Sequence, residues 1–178
     1  MEVQQCRFLQ LWDDCQRHLA RKGDAKQQME ALYHELCLFD PSLPREQQGV
    51  ISTFYLSRIV AETGPVSDFK TVRKIMRYAG LNLREKQSGT YRGKNKLSKK
   101  GRGLLRKVLS QAVLPLVKRE SLFGPYYHGK KAQGMSGTKA MTAVMRKFLK
   151  LFYGWYKSAG HFDRNRVFSC ESQYHYAA

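Results

Sequence analysis

The chain has 178 residues, 42% of them hydrophobic and 12% aromatic, with a formal net charge of +18. That apolar content can build a core, which excludes a disordered basic tail. A charge of this size and sign points to a polyanionic partner, either nucleic acid or an anionic membrane surface.

The charge is concentrated. Residues 1–69 hold 7 Lys/Arg against 10 Asp/Glu, whereas residues 70–158 hold 23 Lys/Arg against only Glu85 and Glu120. A surface charged for solubility would mix both signs. The excess costs self-repulsion that a bound polyanion would relieve. Cys6, Cys15, Cys37 and Cys170 match no zinc or CxxC spacing. Asp13, Asp14, Arg17 and Arg21 interrupt any apolar run at the N-terminus, so no signal peptide is expected and the thiols are read as reduced and cytoplasmic. The best membrane-span candidate, residues 140–156, is broken by Arg146, Lys147 and Lys150.

In chain order, Phe8, Leu11, Trp12, Cys15 and Leu19 recur at helical spacing, and Met29, Leu32, Tyr33 and Leu36 do so again. The pair predicts either an antiparallel hairpin turning at Gly23-Asp24 or part of a longer coiled coil. Asp40-Pro41-Ser42-Leu43-Pro44 breaks the pattern and is the candidate boundary. A third helix is expected over Gln47–Glu62, ended by Gly64-Pro65. A short one follows to Tyr78, with Asp68 as N-cap, Val72, Ile75, Met76 and Ala79 inward and Gly80 past its end. Residues 81–97 are irregular. A short hairpin of Leu83–Lys86 with Thr90–Arg92, around Ser88-Gly89, is the expectation there.

Ser98 is then read as the cap of a long helix with Leu104, Leu105, Val108, Leu109, Ala112, Val113 and Leu116 as its stripe, shortened or kinked at Pro115. Lys99, Lys100, Arg102, Arg106 and Lys107 crowd its start. Cations there oppose the helix dipole unless an anion is present, and a phosphate would reverse the sign. Residues 121–130 read as a helix burying Leu122, Phe123, Tyr126 and Tyr127. Residues 138–158 read as a last helix with Met141, Val144, Met145, Phe148, Leu151, Phe152 and Trp155 inside and Lys139, Arg146, Lys147, Lys150 and Lys157 outside. The polar, aromatic remainder is expected to be loose.

The stretch QSGTYRGKNKLSKKGRGLLRK, residues 87–107, carries eight Lys/Arg and no acid. On residue chemistry it is a solvated basic face or a phosphate clamp, and its place at a helix start favours the clamp. Ser88 taken alone reads as an ordinary turn residue. His161-Phe162-Asp163-Arg164 has the H-x-x-R spacing of tyrosine recombinases, with Tyr174 or Tyr176 as conceivable nucleophile, but so short a motif carries little weight. His18 and His34 read as helix-surface residues, and His175 with Cys170 is a poor metal site.

The order of "RKIMRYAGL", "REKQSG", "LSKKGRGLLRKVL" and "MRKFLKLFYGWYKSAGHFD", from about Gly49 to Asp163, resembles the C-terminal transposase domain of the IS110 (IS116/IS902-type) family of bacterial insertion sequences. Those are bridge-RNA-guided recombinases. Their N-terminal resolvase-like domain binds magnesium through four acidic residues, and a coiled coil joins it to the C-terminal domain. The resemblance implies that Ser88, the serine of the "SG" pair, attacks a DNA phosphodiester and becomes transiently linked to the strand end. On residue chemistry, the candidate nucleic-acid contacts are Arg84, Lys86, Arg92, Lys94, Lys96, Lys99, Lys100, Arg102, Arg106 and Lys107. Gly89 would let the backbone approach the phosphate.

The sequence departs from the family at two places. Gln48-Gly49-Val50-Ile51-Ser52 stands where members show a "PGIG"-like hairpin, and Leu83 stands where they have proline. The acidic domain has no counterpart in this sequence. No metal ligands are expected here, and magnesium is expected only with an acidic domain on another chain.

The expected fold is therefore mainly α: a helical bundle with a helix-hairpin-helix-like start, an irregular basic loop or hairpin near 83–97, and a coiled-coil-like extension. The expected organisation is extension 1–40, transposase C-terminal domain 44–163 and flexible tail 164–178. The expected partners are DNA, guide RNA and a second copy or a full-length transposase, with no membrane. The alternative is an inactive nucleic-acid-binding or dimerisation module.

Overall fold

A computed structural model of the chain describes residues 23–84, 87–88, 91–92, 96–163 and 167. The fold is mainly α. Helix α1 covers residues 23–39, and α2 is Thr53–Thr63, α3 Val72–Tyr78, α4 Gly103–Val113, α5 Gly124–Ala132 and α6 Gly137–Lys157. The first predicted helix, Cys6, Cys15, Cys170, His18, and the tail with Tyr174, His175 and Tyr176 lie outside the described residues. Cys37 is a buried, free thiol.

One core joins these elements. Leu56 and Ile59 of α2, Ile75 of α3, Leu105 and Leu109 of α4, and Phe148 and Phe152 of α6 are at most 1% exposed and form its centre. Helix α6 is the axis, with α3, α4 and α5 all against it. Aromatic side chains tie the loops to this core by their polar ends. Tyr153 Oη donates to Phe69 O at 2.7 Å, Trp155 Nε1 to Gly160 O at 2.8 Å and Tyr33 Oη to Pro44 O at 2.7 Å. Such rings bring large apolar area while their single polar atom stays satisfied.

Several expectations are corrected. Gly23 and Asp24 are helical, so the chain does not turn at that dipeptide. Within α1 the buried positions are Tyr33 and Cys37, while Leu32 and Leu36 are exposed. Helix α2 starts at Thr53 rather than Gln47. The turn before it is closed by a Gln47–Ile51 bridge and passes through Gly49 at φ 74°, a left-handed conformation a helix cannot contain. Its end is as expected, with Gly64 at φ 69° donating its N–H to Val60 O.

The N-cap of α3 is Thr71, whose hydroxyl accepts from Lys74 N. Asp68 sits instead in a 3-10 turn, Val66–Asp68. Pro115 ends α4 in a 3-10 segment, Leu114–Val117, because proline has no N–H for the next helical bond. Leu104 is exposed on α4. Helix α5 begins at Gly124, three residues later than expected, with proline in its first turn. On α6, Met141 and Leu151 are only partly buried, and Ala140, Leu149 and Tyr153 join the buried set.

The described residues of 83–97 are in paired strands. Leu83 pairs with Leu97 and Arg84 with Lys96; Gln87 pairs with Arg92 and Ser88 with Tyr91, all antiparallel. The hairpin is thus longer than expected, and Ser88 is a paired strand residue.

Candidate nucleic-acid interface

The site is built on the junction between α3 and α4. Leu81, fully buried, anchors the chain as it leaves α3. After the β segment, residues 98–102 return alongside 78–82. Ser98 N donates to Asn82 O at 2.7 Å, Lys99 N to Gly80 O at 3.1 Å and Arg102 N to Tyr78 O at 2.8 Å. Lys99 adopts φ 53° and Gly80 φ 68°, so the two turns are shaped against each other. The contact is backbone on backbone. A Cβ placed on Gly101 would lie 2.4 Å from Tyr78 O and 2.5 Å from Gly80 N.

Two of the candidate cations are used to hold this junction. Arg106 Nη1 donates to Ala79 O at 3.0 Å and to Gly101 O at 3.3 Å. A guanidinium on the Ala79 carbonyl at the end of α3 complements the negative end of that helix. Arg102 Nε donates to Glu62 Oε2 at 2.7 Å, and this bond pushes the Arg102 pKa further up. Glu62 also belongs to the support beneath, because its carbonyl accepts from Tyr78 Oη at 3.1 Å.

The remaining cations of the junction point outward. Lys99, Lys100 and Lys107 are exposed. The cap of α4 is Arg102 rather than Ser98, whose hydroxyl instead accepts from Lys100 N at 3.2 Å. No side chain caps α4, and its first turn has no acid. The first amides of an uncapped helix are ready donors to an anion.

Ser88, Arg84, Arg92 and Lys96 have defined backbone positions in the paired strands, with Ser88 opposite Tyr91 and Arg92 opposite Gln87. Lys86, Gly89 and Lys94 lie outside the described residues. The outer pairing carries Ser88, and the inner pairing leads through Lys96 and Leu97 straight into the Ser98–Arg102 segment. Ser88 and the cationic start of α4 both belong to the segment between α3 and α4.

The family model described as the transposase IS116/IS110/IS902 family matches residues 48–128. This segment is a transposase domain of that family. The matched stretch runs from the turn before α2 into α5, so it contains the whole α3–α4 junction and the paired strands. No curated protein matches the chain.

Among the described residues no group of three or more His, Cys, Asp or Glu could hold a metal. Between residues 70 and 158 the only acids are Glu85 and Glu120, and a hard cation needs several oxygen ligands. No described helix is long and apolar enough to cross a membrane.

Sequence reasoning missed the roles of Glu62 and of the Gly80–Gly101 contact. Glu62 lies forty residues from Arg102, and nothing local announces the pair. The glycines of "AGL" and "KGRG" were a readable signal, since adjacent loops that must touch need residues without a Cβ.

Proposed function

We propose that the chain acts in DNA transposition as a DNA-binding recombinase, with Ser88 as the nucleophile working together with an acidic resolvase-like domain. The observation that carries this reading is the junction itself. A strand bearing Ser88 leads into a cationic loop pinned on α3 and into the uncapped start of α4, all inside the matched transposase segment. Phosphoryl transfer needs positioned cations on the phosphate oxygens more than it needs covalent chemistry from the protein.

In this reading the Ser88 hydroxyl oxygen bonds to phosphorus and the bond from phosphorus to the leaving sugar oxygen breaks. The serine proton passes to a base, and the departing oxygen takes up a proton. Lys99, Lys100 and Lys107, with the amides at the start of α4, hold backbone phosphates elsewhere on the same strand. Arg102 and Arg106 hold the loop that presents them. Guide RNA and a cytoplasmic location belong to the same reading.

The test is covalent trapping. The chain is mixed with nicked DNA bearing the element's ends, guide RNA and magnesium, with and without a separately supplied resolvase-like domain. A protein–DNA adduct on a denaturing gel that disappears with Ser88→Ala, while binding persists, is the expected result. An adduct that survives Ser88→Ala would sink the assignment.

A second reading is a dimerisation module without catalysis, pairing with a second copy. The observation that favours it is on α1, where Met29, Leu32, Leu36 and Phe39 follow the 3-4-3 spacing of a helix–helix seam. They line an apolar groove of about 540 Å³ floored by Leu43, Val60 and Val66. A self-complementary helical seam is matched by another such helix.

A further inference from the structure

Helices α5 and α6 carry a second concentration of charge, beyond the matched segment. From Gly124 to Ser158 the chain has seven Lys/Arg and no Asp or Glu. On α6, Lys139, Arg146, Lys150 and Lys157 follow one another at seven, four and seven residues. At 3.6 residues per turn these steps return to the same side, so the four lie on one narrow stripe. The opposite side is the core face, with Val144, Phe148, Phe152 and Trp155 buried. Lys139, Lys150 and Lys157 are exposed. At 1.5 Å per residue the stripe is about 27 Å long.

A neighbouring pair widens it. Lys130 of α5 and Lys147 of α6 sit over the same Tyr126 ring, with Nζ at 5.5 and 5.6 Å from its centre. The ring draws a cation from each helix beside the stripe.

We propose that the α6 stripe is a second nucleic-acid contact, which takes the phosphate backbone of a duplex in a sequence-independent way. It rests on the nucleic-acid-binding part of the reading above and is independent of Ser88 as nucleophile. The shape selects the partner. A straight, rigid cation line about 27 Å long matches about eight base pairs of a straight, rigid polyanion at 3.4 Å per step, and is far longer than a single phosphate group. A membrane surface fits less well, because the apolar side of α6 is spent in the core and the exposed side offers no apolar anchor. Contacts made by lysines to phosphates position a duplex without reading its bases.

The test measures binding of the full chain to a random-sequence duplex, as DNA and as RNA, over a salt series. Three triple variants are compared: K139Q/K150Q/K157Q on the stripe, K99Q/K100Q/K107Q on the junction and K26Q/R45Q/K70Q as a charge-matched control. The stripe variant is expected to bind at least about tenfold more weakly at low salt, with a log–log salt slope shallower by about 2 to 3, since each lost phosphate contact removes about 0.9. The DNA and RNA arms show which duplex the stripe prefers. K139R/K150R/K157R should restore binding, and melting curves should be unchanged because all three positions are exposed.

A stripe variant that behaves like the control, with only the junction variant affected, would overturn the stripe and leave the junction reading standing. A wild-type chain that binds neither duplex would overturn both. Loss of binding to phosphatidylserine vesicles with duplex binding intact would assign the stripe to a membrane instead.

Discussion

Arg102 gives its Nε–H to the carboxylate of Glu62 at 2.7 Å, with the arginine side chain 50% exposed and the glutamate 15% exposed. An acid thus sits inside the most basic surface of the protein and occupies a cation that would otherwise face a phosphate. Removing it should favour a polyanion twice, by deleting a repelling charge and by releasing Arg102. Glu62→Ala is expected to tighten nucleic-acid binding several-fold at low salt and to steepen the salt slope by up to about one contact. Titrations at several salt concentrations check this. Unchanged or weaker binding would mean that the pair is needed to shape the loop.

The Gly80–Gly101 contact separates two ways in which glycine matters. At Gly101 an added Cβ would meet backbone atoms at 2.4 to 2.8 Å, and backbone cannot move aside without breaking the bonds between 78–82 and 98–102. Gly101→Ala is expected to cost about 3 kcal/mol or more. That lowers the melting temperature by roughly 6 to 12 °C for a chain of this size. Gly49 also has positive φ but open space around it, so Gly49→Ala should cost only about 1 to 2 kcal/mol. Thermal melts of both variants make the comparison, and equal losses would remove the contact as the cause.

Much of this architecture was legible in the chain. Apolar spacing identified α3, α4 and α6, because their buried residues recur at 3.6 within one segment. Gly64, Gly80 and Pro115 marked ends correctly, because their backbone constraints act locally. The helix starts were misread where a side chain competed with a turn. Ser98 and Asp68 are good caps by residue type, but the chain puts Ser98 in a return segment bonded to Asn82 and Asp68 in a 3-10 turn. The division of labour among the cations was not legible. Arg102 and Arg106 differ from Lys99 and Lys107 only through Glu62 and the end of α3, which are brought close by folding and not by sequence.

Alkaline pH should expose the cost of the buried groups on α1. Burial pushes the Tyr33 hydroxyl well above its ordinary value, and it raises the Cys37 thiol as well. Both stay neutral in the folded chain where the unfolded chain ionises, at about pH 8.5 for a thiol and about pH 10 for tyrosine. The unfolded state then binds fewer protons than the folded one, so stability falls as pH rises through this window and is insensitive to these groups below it. Tyr33→Phe should flatten the decline near pH 10. It should also cost about 1 to 3 kcal/mol at neutral pH, because the buried Pro44 carbonyl loses its donor. Denaturant unfolding at pH 7, 9 and 10.5 tests both effects. An alkaline decline identical in the variant would exclude Tyr33 as its source.

The α1 seam makes a separable prediction about assembly. Leu32 is 59% exposed, Leu36 47% and Phe39 88%, while Tyr33 and Cys37 on the same helix are buried in the core. The seam residues thus add little to the fold of one copy, and their apolar area is available to a second. Leu36→Asp should leave the melting temperature of dilute protein nearly unchanged, as surface substitutions do, within about 0.5 kcal/mol. In a dimer the same carboxylate would be buried without a partner, which costs at least about 1.4 kcal/mol and so at least a tenfold weaker association. Light scattering over a concentration series decides the matter. A wild-type chain that stays monomeric at high concentration would remove the seam as a self-association surface. A variant that dimerises like wild type would move the interface elsewhere.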